Sequence, residues 1–381
     1  MKKLKVMSVF GTRPEAIKMA PVVLELGKYS QVESIVAVTA QHREMLDQVL
    51  NLFDIRPDFD LNIMSEGQTL FDITSRALLG LDKVLTAAKP DVILVHGDTT
   101  TTFAGALAAF YHQIEVGHVE AGLRTRNKFS PYPEEMNRRL TGALADLNFA
   151  PTTTAKENLL REGVDESKIF VTGNTVIDAL YQTVRADFQF PDLDLSKRII
   201  LVTTHRRENL GEPLRQVYKA LRSLVEEFPD VEIIFPVHKN PKVRSIVNEE
   251  LGGLERVRLI DPLDYEPFAN LMNRATLIMT DSGGLQEEAP ALGKPVLVLR
   301  DTTERPEALE AGTVKLIGTN QAKVYGAAKL LLTDAAAYRE MAEAQSPYGD
   351  GHAAERIVKS LLWRHNILAE PPEEFASEKF S

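Results

Sequence analysis

The stretch Ala275-Thr276-Leu277-Ile278-Met279-Thr280-Asp281-Ser282-Gly283-Gly284-Leu285-Gln286-Glu287-Glu288-Ala289 decides the fold. Its first six residues are an apolar run that reads as a buried strand. A turn, Ser-Gly-Gly, follows, and then a helix up to Pro290. Strand, glycine turn and helix in that order make a cradle for phosphate. Glycine lets the backbone approach a ligand closely, and the free N–H groups of a first helical turn point at it. Glu288 lies about one helical turn beyond Gly284, on the same face. A carboxylate there accepts both hydroxyls of a ribose while the turn holds a diphosphate. The plainer alternative is a glycine-rich turn beside a solvated Glu.

Outward from this stretch, short apolar runs alternate with longer amphipathic segments, the pattern of parallel βαβ units. Strands are predicted at 4–10, 34–39, 92–95, 115–119, 147–150 and 169–171, and again at 198–203, 232–236, 257–259, 277–280, 295–299 and 313–316. Helices are predicted between them, such as 16–29, 71–88 and 100–111. The pattern predicts an α/β chain, with a polar stretch at 178–197 as the candidate linker. The tail 369–381 is acidic and Pro-rich and reads as disordered.

The chain has 381 residues, a formal net charge of −10 and no cysteine. The length suits two domains. The acidic balance argues against a dedicated nucleic-acid binder. Without cysteine there is no disulfide, thiolate zinc site or Cys nucleophile. No segment approaches the roughly 20 apolar residues of a membrane helix, and the apolar run after the basic start is too short for a signal sequence. A cytoplasmic location is the expectation.

Ligands of parallel α/β sheets bind beyond the carboxyl ends of the strands. The unusual polar clusters fall there: Gly11-Thr12-Arg13, Gln41-His42-Arg43, His96-Gly97-Asp98 and Glu120 in the first half. His205-Arg206-Arg207, His238, the Asp281–Gly284 turn and the run from Arg300 to Arg305 follow in the second. Asp98 and Glu120 end successive strands, and paired carboxylates in a closed site separate into acid and base. Glu134 and Glu135 follow Pro131-Tyr132-Pro133, a stiff loop. The alternative for these acids is structural; Asp98 in particular sits where a helix N-cap belongs. Arg13 and Lys18 stand at the first strand–helix junction, suited to phosphate or to a surface ion pair. His205 either hydrogen-bonds a leaving pyrophosphate or is structural. His96 with Asp98, and His118 with Glu120, have a metal-like alternation but no third ligand at suitable spacing. Neither the dinucleotide nor the Walker fingerprint is present.

Four runs then resemble one family, the bacterial non-hydrolysing UDP-N-acetylglucosamine 2-epimerases. They are Phe10–Pro21, His96–Thr101, Gly117–Arg124 and Thr280–Gly284. Pro133-Glu134-Glu135, Gly173–Asp178 and Asp301–Glu307 agree as well. The resemblance implies two Rossmann-like domains facing a central cleft, as in the glycosyltransferase-B architecture. Residues 1–175 would form the first domain, completed by a helix at about 353–368, and 176–352 the second. It implies interconversion of UDP-N-acetylglucosamine and UDP-N-acetylmannosamine without NAD or an essential metal, by elimination of UDP to 2-acetamidoglucal and re-addition. It implies a homodimer. Catalytic or substrate-binding positions carried over are Arg13, Lys18, Asp98, Glu120, Glu134 and His205. UDP contacts are Phe268, Ser282, Gly283, Gly284, Glu288 and Arg305, with uracil against the backbone near Leu263. A regulatory site for a second substrate molecule would lie near Gln41, His42, Arg207 and His238. Gly67 stands there where some members carry a basic residue, and Glu44 where some have Gln. The competing readings are a glycosyltransferase of the same architecture, a hydrolysing epimerase, and a silent nucleotide-sugar sensor.

Overall fold

The computed structural model describes residues 2–40, 43–190, 193 and 196–376, with the Arg207 side chain left out. The chain forms two compact units. Described residues up to Tyr181 and from Tyr348 onward make the first, and Gln182–Pro347 the second. Both are parallel-sheet α/β units, as the alternation of apolar and amphipathic runs requires.

In the first unit the strands are β1 (Leu4–Phe10), β2 (Val32–Val38), β3 (Phe59–Asp60), β4 (Val92–His96), β5 (Glu115–Val119), β6 (Leu147–Ala150) and β7 (Ile169–Val171). Their order is β3-β2-β1-β4-β5-β6-β7. In the second unit β8 (Arg198–Thr203), β9 (Val231–Pro236), β10 (Val257–Ile260), β11 (Leu277–Thr280), β12 (Val296–Val298) and β13 (Val314–Leu316) run in the order β10-β9-β8-β11-β12-β13. Central strands are apolar along their whole length because helices cover both faces; Val92, Ile93, Leu94 and Val95 are all fully buried. Each sheet therefore has one point where the strand order reverses, between β1 and β4 and between β8 and β11. Loops on either side of such a point diverge and leave a crevice at the strand ends.

The last helix, Ala353–Arg364, packs against the helix Arg13–Leu26 through Ile357, Val358, Leu361 and Leu362, all buried. Asp178 accepts hydrogen bonds from the Ala353 and Ala354 N–H groups at 3.2 and 2.8 Å and so caps this helix. Burial raises the Asp178 carboxyl to about 6, against the pull of those two donors.

Two sequence expectations change. The segment 178–197 is not a linker throughout, because its first residues belong to the helix Thr175–Thr183. The tail is not disordered over 369–376. Phe375 is buried, its N–H donates to the Val171 carbonyl at 2.8 Å, and Glu374 accepts from the Val171 N–H at 3.3 Å. These contacts cover the edge strand β7, which otherwise presents open backbone groups. Residues 377–381 lie outside the described ones.

Candidate active site

At the order reversal of the first unit, one buried carboxylate organises two loops. Glu15 accepts from the Gly11 N–H (3.1 Å), the Thr12 N–H (2.8 Å) and the Thr12 hydroxyl (2.8 Å). It also accepts from the Thr99 and Thr102 hydroxyls, at 2.7 and 3.2 Å. The loop after β1 is thereby tied to the loop after β4. The second unit repeats the device. Asp281, fully buried, accepts from the His205 N–H (3.0 Å), the Arg206 N–H (3.0 Å) and the Asn209 amide (3.3 Å). It ties the loop after β11 to the loop after β8. Sequence reasoning placed Asp281 in a phosphate cradle; its carboxylate is instead the brace beneath that cradle. Glu15 was legible as the acid of a Thr-x-x-Glu capping box at the helix start.

On this frame the first unit carries an ionic cluster. Glu120 directly follows β5 with φ +62°, a left-handed conformation that costs a residue with a side chain roughly 1–2 kcal/mol. Its carboxylate pairs with the Lys18 ammonium and lies 2.9 Å from His96 Nε2, a contact too poorly aligned to be a hydrogen bond. Burial works against the charge on Glu120, but Lys18 and His96 outweigh it and hold the carboxyl well below the ordinary value. The surroundings of Glu120 therefore favour its charged form.

Asp98 lies in the turn after the adjacent strand β4, two residues past His96, which is in register with Val119. It is not a helix cap. Thr99 fills that place, accepting from the Thr102 N–H at 3.2 Å. The Asp98 carboxylate pairs with Arg138, and its carbonyl accepts from the Asn137 amide at 2.9 Å. Both partners come from the helix Glu134–Leu144. Glu134 and Glu135 are its first two residues and take opposite roles. Glu135 is fully buried and accepts from the Thr125 and Arg126 N–H groups at 2.9 and 3.0 Å. Glu134 has a buried Oε2 with no hydrogen-bond partner in the protein. Arg13, half-buried at the helix start, has no hydrogen-bond or ion-pair partner among the described residues. Arg138 was not legible in the sequence, and nor was which of Glu134 and Glu135 is free, because both depend on which helix face meets the sheet.

In the second unit Gly283 and Gly284 follow Ser282 as the turn into the helix Leu285–Ala291. Gly284 has φ −62°, so no positive φ requires glycine there. A Cβ on Gly283 would meet nothing nearer than 4.0 Å, and one on Gly284 only Glu288 at 3.8 Å. The protein's own packing does not demand these glycines, so the space above the turn suits an incoming group. Glu288 is half-buried beside Gly284 and near Tyr265, whose buried hydroxyl has no hydrogen-bond partner in the protein. Tyr265 opens the helix Tyr265–Arg274 two residues after Leu263, and the same helix carries the half-buried Phe268. Arg305 pairs with the buried Glu287.

His205 stacks on His238 with ring centres 6.1 Å apart. Burial lowers the His205 ring below the ordinary histidine value, Asp281 opposes this, and Arg206 and His238 reinforce it. His205 and His238, expected in separate sites, thus form one pair. Gln41 and His42 lie outside the described residues, as does the Arg207 side chain. Among the described residues no group of three His, Asp or Glu is arranged to hold a metal ion, and no helix is long and apolar enough to cross a membrane.

A family model described as UDP-N-acetylglucosamine 2-epimerase matches residues 24–362. The UDP-N-acetylglucosamine 2-epimerase of Bacillus subtilis is 61% identical over 380 residues, covering 99% of this chain and all of that relative. A crystal structure of a UDP-N-acetylglucosamine 2-epimerase superposes with a TM-score of 0.94 at 59% identity, over 99% of this chain and all of its own. The enzyme from Neisseria meningitidis, solved bound to UDP-GlcNAc, gives a TM-score of 0.84 at 51% identity, over 94% of this chain and all of its own.

Proposed function

The chain belongs to the UDP-N-acetylglucosamine 2-epimerase family, and from that premise we propose that it interconverts UDP-N-acetylglucosamine and UDP-N-acetylmannosamine without hydrolysis, by elimination and re-addition of UDP. The observation that carries the reading is the set of three acids in three different electrostatic states. Glu120 is a stabilised carboxylate, Asp98 is paired with Arg138, and Glu134 has an uncommitted oxygen.

By elimination and re-addition, inverting C2 removes its proton on one face and returns a proton on the other. Glu120 is too stable an anion to be the preferred proton acceptor. It is suited to stabilise positive charge building at C1 as UDP departs. Glu134 and Asp98 are the proton-transferring pair. As the C1–O bond breaks, its electrons leave with UDP; the C2–H electrons form the C1–C2 double bond of 2-acetamidoglucal. Reprotonation of C2 from the opposite face and return of UDP to C1 complete the epimerisation. Ser282, Gly283 and Gly284 hold the diphosphate, Glu288 the ribose hydroxyls, and Phe268 with the backbone at Leu263 the uracil. Arg13, Arg305 and His205 balance charge on the leaving group.

Glu288→Ala should weaken UDP binding by on the order of 1.5–3 kcal/mol, the worth of hydrogen bonds to a charged group. Calorimetry with UDP alone checks this; unchanged affinity would place the ribose elsewhere. The reaction itself is tested by incubating the protein with UDP-N-acetylglucosamine, excess EDTA and no NAD. UDP-N-acetylmannosamine should accumulate to equilibrium. Stoichiometric UDP and free sugar would instead indicate a hydrolysing enzyme.

Apolar side chains on two adjacent helices support a homodimer. Phe71 and Leu79 lie on Leu70–Ala88, and Phe110 and Tyr111 on Thr100–Tyr111; Phe71 is 87% exposed. A second copy would cover this face. The cytoplasm, where nucleotide sugars are substrates, is the proposed location.

A further inference from the structure

The turn that carries Asp98 is held by three consecutive carbonyls. The His96 carbonyl accepts from the Thr102 hydroxyl, the Gly97 carbonyl from His118 Nε2 at 2.7 Å, and the Asp98 carbonyl from the Asn137 amide at 2.9 Å. Three elements supply the donors: the helix Thr100–Tyr111, β5 and the helix Glu134–Leu144. Gly97 itself has φ +67°, so the turn is one that few residues adopt unaided.

His118 differs from the other two donors. A carbonyl only accepts, so its Nε2 carries the proton and its Nδ1 is a bare acceptor. That Nδ1 is fully buried and has no partner in the protein. Asn148 is in register with His118 on β6, so the two side chains share a face of the sheet. Both amide atoms of Asn148 are likewise buried without a partner, as is the hydroxyl of Thr141. Thr141 lies on the helix Glu134–Leu144, and the end of that helix packs on the same face, where Leu144 meets the cluster containing Val116. Four buried polar atoms on one face, each costing roughly 1–3 kcal/mol if left unpaired, call for a shared partner. Two donors and two acceptors on one face of the sheet suit internal water.

We propose that His118 is a positioning residue for Asp98, fixed in its Nε2-protonated form by internal water shared with Asn148 and Thr141. The water donates to Nδ1 and so bars a proton from that atom. The remaining N–H clamps the Gly97 carbonyl and holds the turn from which Asp98 reaches the substrate. Charge around the ring agrees with a neutral imidazole. Burial lowers the ring to about 4, the Gly97 bond resists this, Arg124 and His96 add to it, and Glu120 opposes it. The proposal rests on the role given above to Asp98.

Nitrogen-15 NMR of the wild-type protein reads the tautomer directly. The Nε2–H form should persist from about pH 8 to about pH 5, where an ordinary histidine titrates. His118→Phe keeps the ring volume and removes the donor. It should lower kcat by tenfold or more, since misplacement by about 1 Å can cost 10²-fold, with KM within about twofold. His118→Gln returns an N–H at a similar reach and should retain kcat within about threefold of wild type. A spectrum showing the Nδ1–H form, or a titration near the ordinary value, would overturn the proposal. So would His118→Phe with wild-type kcat, or a folded His118→Gln that has lost it; the Gln variant decides alone should the Phe variant not fold. Full activity in Asp98→Asn would remove the Asp98 role itself and is read separately.

Discussion

Glu134→Gln should lower kcat by roughly 10²–10⁴-fold, the range for loss of a proton-transferring group, and leave thermal stability and UDP affinity nearly unchanged. The substitution is almost isosteric. Glu134 Oε2 is buried with no partner in the protein, so no internal bond is broken when it becomes an amide. Its neighbour is the control. Glu135 is fully buried and accepts two backbone N–H groups, so Glu135→Gln should act on stability through the Thr125–Arg126 loop. Circular dichroism melts alongside steady-state rates separate the two. A Glu134→Gln enzyme with wild-type turnover would remove Glu134 from the chemistry, and one with a large drop in melting temperature would make it a structural residue.

Glu120→Gln should lower kcat by roughly 10²–10³-fold, the cost of removing one preorganised electrostatic group. The amide would leave the Lys18 ammonium without its counter-charge, so stability should fall as well. A cleaner probe is Lys18→Met. In the wild-type protein the carboxyl is held well below its ordinary value against the effect of burial. A group depressed in this way adds stability above its unfolded-state value and loses it as pH falls through the folded-state value. Wild-type activity should therefore show no acid limb from Glu120 near neutrality. Removing Lys18 takes away the largest opposing influence and lets burial act, so the acid limb of kcat against pH should move to higher pH. An unshifted limb in Lys18→Met would mean that Glu120 is not held ionised by this pair.

Much of the fold was legible because central strands of a parallel sheet are unbroken apolar runs, such as Val92-Ile93-Leu94-Val95. The Phe59–Asp60 strand was not, because two residues carry no period. The tail misled for a physical reason: Pro and Glu set its average, whereas one aromatic side chain, Phe375, fixes it to β7. The candidate positions Asp98 and Glu120 were visible as polar residues just past strand ends. Which acids are free and which are braces was not visible. That distinction separates Glu134 from Glu135 and depends on the direction a helix face takes. The two buried braces, Glu15 and Asp281, show the same limit. Glu15 reads in sequence as a helix cap and Asp281 as part of a phosphate cradle, and each spends its oxygens on donors of two loops.

The elimination mechanism is the central claim, and the hydrogen at C2 reports on it directly. Wild-type protein is incubated with UDP-N-acetylglucosamine in deuterated water, without NAD, and both nucleotide sugars are recovered at equilibrium for NMR. Deuterium at C2 of both sugars is the predicted result, because the C2 proton leaves to a carboxylate in the site and C2 is reprotonated by a carboxylic acid equilibrated with solvent. Epimerisation with the original hydrogen retained at C2 would contradict it.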